Sequence, residues 1–192
     1  MRRLCVFCGS KVGRPEYKVA AETLGRLLAA HGIGLVFGGG HVGLMGVLAD
    51  AVLSSGGEAV GVIPQGLVDL ELAHGSLTRL HVVETMHARK ALMADLSDAF
   101  AALPGGFGTA DELFEILTWA QLGLHAKPVG LLNVAGCFAP LLAWMDRLVD
   151  DGLLKPAHRA LPLVADDPGQ LLERLRRHRP EPAAPKIAPS DR

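Results

Sequence analysis

Apolar positions along the 192-residue chain alternate between short unbroken runs and longer stretches with helical spacing. Residues 4–8, 34–37, 59–63, 80–83, 99–103 and 129–132 read as strands. Four of these end against Gly or Pro, as strands that feed tight turns do. Helical patterns lie between them, near 15–31, 43–55, 85–97, 109–124 and 136–150. Such alternation predicts an α/β fold: a Rossmann-like, doubly wound, mainly parallel sheet with helices on both faces. Ligands of such sheets bind beyond the carboxyl ends of the strands, where this chain keeps its glycines.

The stretch 64–79 is a longer connection without clear periodicity. A weak final strand at 161–164 and a basic helix at 168–178 close the pattern. The reading is one Rossmann-like domain over 1–179, followed by a Pro-rich tail over 180–192 that is too polar to pack a core.

Composition narrows the partners. Lys plus Arg number 19 and Asp plus Glu 20, so no global field favours nucleic acid or an anionic membrane. No stretch is apolar for long enough to span a bilayer, and the run after Met1-Arg2-Arg3 is too short for a secretion signal. A cytoplasmic protein is expected. The 3 cysteines fit reduced thiols better than a disulfide framework. Cys5 and Cys8 have redox spacing, but three residues along a strand they point to opposite faces, which makes them core residues.

Two glycine-rich turns carry the chemistry. Gly38-Gly39-Gly40-His41-Val42-Gly43 contains a GxGxxG pattern between a strand and a helix. It follows the second strand rather than the first, and the next strand ends in Ile63-Pro64-Gln65, with no carboxylate for a ribose diol. Nicotinamide dinucleotide binding is therefore disfavoured, and close strand–helix packing is the bland alternative. In the second turn, Leu103-Pro104-Gly105-Gly106-Phe107-Gly108-Thr109-Ala110-Asp111-Glu112, glycines precede a helix read to begin at Thr109. Free backbone amides at a helix N-terminus suit a phosphate group. The loop lacks the Lys of a triphosphate-binding loop, so a monophosphate fits better.

Two charged residues sit on apolar helical stripes. Thr109-x-x-Glu112 has capping-box spacing, yet Glu112 shares a stripe with Ile116, Trp119 and Ala120, which suits a functional carboxylate. Arg89 shares a stripe with Met86, Met93 and Leu96, and needs an anion there. That anion is either a structural carboxylate or a substrate phosphate, and the neighbouring Lys90 points to the second.

Met86-His87-Ala88-Arg89-Lys90 followed by the 104–112 loop resembles the LOG (Lonely Guy) family of cytokinin riboside 5′-monophosphate phosphoribohydrolases. The likeness extends to Cys5-Val-Phe-Cys-Gly-Ser10, Gly38-Gly-Gly40, Glu71-x-Ala-His74 and the motif from Leu117-Thr118. The resemblance implies Arg89 and Glu112 as the catalytic pair. As substrate contacts it implies Ser10, Gly40, Glu71, Met86, Lys90, Gly105, Gly106, Phe107, Gly108, Thr109, Ala110, Asp111 and Thr118, beside the pair itself. It implies hydrolysis of the bond between ribose 5-phosphate and an adenine-type base, in a homodimer with the site near the subunit interface. Neither cofactor nor metal is called for, and no His/Cys cluster has zinc spacing. Lysine decarboxylation, a label often attached to the family, would need a pyridoxal phosphate lysine that the resemblance does not supply. The alternative is a nucleotide-binding sensor or carrier on the same fold. Lys11, where many relatives carry serine, and the Pro-rich tail are departures that bear on substrate preference rather than on reaction class.

Overall fold

Strands made wholly of apolar residues need cover on both faces, and the structure supplies it. The computed structural model describes residues 1–70 and 72–179. Among these, seven strands form one parallel sheet: β1 (Arg3–Phe7), β2 (Gly34–Phe37), β3 (Ala59–Pro64), β4 (Arg79–Val83), β5 (Ala99–Ala102), β6 (Val129–Leu132) and β7 (Pro162–Ala165). Their order is β4-β3-β2-β1-β5-β6-β7, so the chain reverses its direction of travel across the sheet between β1 and β5. In β2, β3, β5 and β6 every residue is buried, whereas the edge strand β4 is not. This is the doubly wound, Rossmann-like arrangement.

Helices α1 (Pro15–Ala30) and α2 (Gly43–Ser54) cover one face together with α8 (Pro168–Arg177). The other face carries α4 (Met86–Asp95), α5 (Phe107–Leu122) and the less buried α6 (Ala139–Asp150). Cys8 belongs to the first core and Cys5 to the second, as strand alternation requires, and both thiols are free. No described helix is long and apolar enough to cross a membrane.

Most element boundaries lie within two residues of the sequence reading, and the informative differences are these. The helix expected from Thr109 begins at Phe107. The helix expected from residue 136 begins at Ala139, because a 3-10 turn at Val134–Gly136 precedes it, with Ala135 at φ 51°. The connection at 64–79 holds a one-turn helix α3 (Gln65–Val68), and Pro156–Arg159 forms a further short helix, α7. The final strand runs one residue later, to Ala165. The expected tail lies outside the described residues.

The carboxyl ends of the central strands are tied by their loops. Gly9 N–H donates to Pro104 O at 3.1 Å, which joins the loop after β1 to the loop after β5. Leu44 N–H donates to Gly9 O at 2.9 Å and brings the start of α2 to the same point.

Helices α1 and α2 meet at Gly25, where an added Cβ would lie 2.7 Å from Ala51 Cβ and 2.9 Å from Leu48 O. Alanine in a helix gains about 1 kcal/mol over glycine, but overpacking costs about 1–3 kcal/mol. Because a backbone carbonyl is part of the obstruction, the packing cost should win. Gly25→Ala is expected to lower the urea midpoint, and an unchanged or raised midpoint would show that the helices separate freely.

Candidate active site

A cavity of about 350 Å³ opens at the carboxyl ends of β1, β2, β3 and β5, within the size range of small-ligand sites. A larger cleft of about 550 Å³ lies at the opposite end of the sheet, but its two carboxylates already have partners. There Arg3 pairs with Glu58 at 2.9 Å, and Asp98 accepts the Arg3 amide at 3.0 Å.

Three backbone features shape the first cavity. The turn after β2 contributes Gly38 and Gly40, the turn after β1 contributes Cys8, Gly9 and Ser10, and the start of α5 contributes Gly106, Phe107, Gly108 and Thr109. The N-cap of α5 is Gly106, in an extended conformation and without a side-chain cap. The first-turn amides and the positive end of the helix dipole therefore face the cavity, as an anion site requires.

That start of α5 also removes the capping reading of Glu112. With Gly106 as N-cap, Thr109 is the third helical residue and Glu112 stands in the second turn, so the capping-box spacing has no cap to serve. Glu112 is instead only 9% exposed and lines the cavity. Burial pushes its carboxyl up to about 7, against the opposing pull of the nearby Arg89 charge.

Arg89 projects from the first turn of α4 and is 8% exposed. Its Nε donates to Val62 O at 3.0 Å and its Nη2 to Gly38 O at 2.8 Å. The fork is thus pinned to the ends of two neighbouring strands by neutral acceptors, while Nη1 meets the weakly accepting Met86 sulfur at 3.8 Å. Gly38 permits this approach, because a Cβ there would stand 1.9 Å from Nη2. The guanidinium keeps its positive charge for the cavity.

Lys90 turns away. Its ammonium is buried between Asp111 at 3.0 Å and Glu115 at 3.1 Å, so its pairing is structural and it does not line the cavity. Of the other expected contacts, Gly105, Ala110, Asp111 and Thr118 lie outside the lining, and Met86 reaches it only through Arg89. Thr118 is exposed on α5. Glu71 falls outside the described residues. The reading missed an apolar wall made by Val42, Met45, Ile63, Leu67 and Leu72. Leu67 and Leu72 belong to the aperiodic connection, which gave no signal for them. Cys8, read as core, also reaches the cavity.

The chain is similar to several known proteins. Residues 45–175 match the family model described as "Possible lysine decarboxylase". A protein of Oryza sativa subsp. japonica named "Probable cytokinin riboside 5′-monophosphate phosphoribohydrolase" is 48% identical over 94% of this chain and 74% of its own. A cytokinin riboside 5′-monophosphate phosphoribohydrolase of Arabidopsis thaliana is 47% identical over 94% of this chain and 83% of its own. Among solved structures, the Moco carrier protein of Chlamydomonas reinhardtii superposes with a TM-score of 0.66 at 26% identity, covering 90% of this chain and 98% of that one.

The raised Glu112 carboxyl has a stability consequence. Folded Glu112 stays protonated up to about 7, while the unfolded group ionises from its ordinary 4.5, so the wild type loses stability as pH rises between these values. The loss amounts to roughly 3 kcal/mol above pH 7. Glu112→Gln removes it. The variant should unfold at a higher temperature than wild type at pH 8 and at nearly the same temperature at pH 4.5. Equal melting at both pH values would mean that Glu112 is solvated.

Proposed function

This chain belongs to the LOG family, and we propose that it hydrolyses the base–ribose bond of an N6-modified adenosine 5′-monophosphate, releasing the free base and ribose 5-phosphate. One observation carries the reading: a buried carboxylate and a pinned guanidinium share a cavity with the open amino end of a helix.

The 5′-phosphate docks on the first-turn amides of α5, where charge-assisted hydrogen bonds contribute roughly 1.5–3 kcal/mol each. As the C1′–N9 bond breaks, positive charge grows on the ribose and negative charge on the base. Ionised Glu112 stabilises the first and orients the attacking water, taking its proton as the new C1′–O bond forms. Arg89 Nη1 offers a hydrogen bond to the phosphate or the departing base, which takes its proton from solvent as it leaves, while Glu112 returns the water's proton to solvent after the step. Arg89 also steadies the ionised form of Glu112. The apolar wall of Leu67, Leu72 and Met45 suits a base that carries an apolar N6 substituent.

The active form in this reading is a homodimer. Phe107 both lines the cavity and is 97% exposed, and Trp144 and Met86 are exposed as well. A second copy covering Phe107 would close the mouth and bury surface that is costly to leave in water. The 3 free thiols accord with a reducing cytoplasm.

The fold also supports a carrier, which would bind the nucleotide without turnover, so product analysis decides. Pure protein should release base and ribose 5-phosphate from AMP and faster from N6-isopentenyl-AMP. Adenosine should react at least about 100-fold more slowly, given two such phosphate contacts. Glu112→Gln should lose turnover while retaining its fold, and activity should fall with the dimer when both are followed across a dilution series by light scattering. Comparable rates on AMP and adenosine would remove the phosphate site from the mechanism, and binding without products would favour the carrier.

A further inference from the structure

One buried polar side chain takes no part in this chemistry. His74 lies in the connection between β3 and β4, outside the cavity lining, and is only 9% exposed. Both ring nitrogens are engaged. Nδ1 accepts the Ser76 amide at 3.2 Å, which leaves the proton on Nε2, and Nε2 donates to Asp50 Oδ1 on α2 at 3.0 Å. Asp50 itself is largely exposed.

The backbone around His74 lies across the glycine turn of the cavity. His74 N–H donates to Gly39 O at 2.8 Å, and His41 N–H donates to Leu72 O at 3.0 Å. Ala73 bridges Gly40 in antiparallel fashion, and the His41 ring contacts the Leu72 carbonyl at 3.1 Å. Residues 72–76 thus form a strap across the turn, and its first residue, Leu72, is part of the apolar wall. At its inner end Leu72 N–H also donates to Leu67 O at 3.2 Å, and at its outer end Leu77 packs on the core. Between them, the His74–Asp50 pair is the side-chain contact that ties the strap to α2.

We propose that His74, clamped by Asp50, is a positioning residue that fixes the Leu72 wall of the nucleotide cavity. The proposal rests on the phosphoribohydrolase reading for its substrate. Glu112 sits on α5 and Arg89 on α4; Arg89 Nη2 does meet Gly38 O in the braced turn, but its Nε is held independently by Val62 O on β3. Wall contacts are made equally in the ground state and the transition state, so loosening the wall should raise KM and spare kcat.

The test uses the full chain with His74→Ala, His74→Gln, Asp50→Ala and Asp50→Asn. His74→Ala and Asp50→Ala should raise the KM for N6-isopentenyl-AMP about tenfold, with kcat within about twofold of wild type. Asp50→Asn keeps an acceptor for Nε2 and should stay near wild type, and His74→Gln keeps a donor toward Asp50 and should recover most of the loss. A merely structural role would lower melting temperature without this KM split and its rescue. If His74→Ala fails to fold, Asp50→Ala, altered at an exposed position, decides alone. Unchanged KM in a folded Asp50→Ala, or a fall confined to kcat, overturns the proposal. If the wild type turns over no nucleotide, the reaction reading fails and the strap is judged by amide hydrogen exchange. His41, bonded to Leu72, should then exchange about tenfold faster in Asp50→Ala, and an unchanged rate overturns the strap.

Discussion

The site depends on one interaction, the buried Arg89 guanidinium held by the carbonyls of Val62 and Gly38. An arginine taken out of water without an ion-pair partner is costly, and hydrogen bonds from two of its nitrogens offset part of that cost. The arrangement imposes conditions elsewhere. A side chain at residue 38 would displace Arg89 Nη2 from its carbonyl, α4 must start where its first turn reaches β2 and β3, and a carboxylate nearby feels the positive charge held there. Glu112 is that carboxylate. Burial raises it and Arg89 restrains the rise, leaving a group that changes charge near neutrality, as a general base needs.

The fold alone would not have identified the chemistry, because the same architecture at 26% identity is found in a Moco carrier protein. What differs between binding and turnover is local. The open start of α5 recognises an anion in either case, but a raised carboxyl facing a pinned guanidinium is an expensive arrangement for a protein that only holds its ligand.

Much of this was legible in the sequence, for physical reasons. Fully apolar runs such as 34–37 and 99–103 read as buried parallel strands because a parallel sheet leaves them no solvent face. Glu112 and Arg89 stood out as charges on apolar stripes, which holds for any phase of the helix. The start of α5 was misplaced by two residues because Thr109-x-x-Glu112 imitates a capping box, whereas an uncapped Gly106 leaves no local signature. Lys90 was read toward phosphate because its partners, Asp111 and Glu115, are brought to it only by the packing of α4 on α5. The apolar wall from Leu67 and Leu72 was invisible for a similar reason: an aperiodic connection shows neither spacing nor cap, and only the strap across the glycine turn brings it to the site.

The central claim is that a buried, ionisable Glu112 beside a fixed Arg89 governs turnover. The most direct measurement is a carbon-13 NMR titration of the Glu112 carboxyl in the free protein, set against the pH dependence of kcat/KM on the same preparation. The carboxyl should titrate with a midpoint of about 7, and activity should rise as that group loses its proton. A Glu112 midpoint at its ordinary 4.5, or an activity that stays flat while the carboxyl titrates, would contradict it.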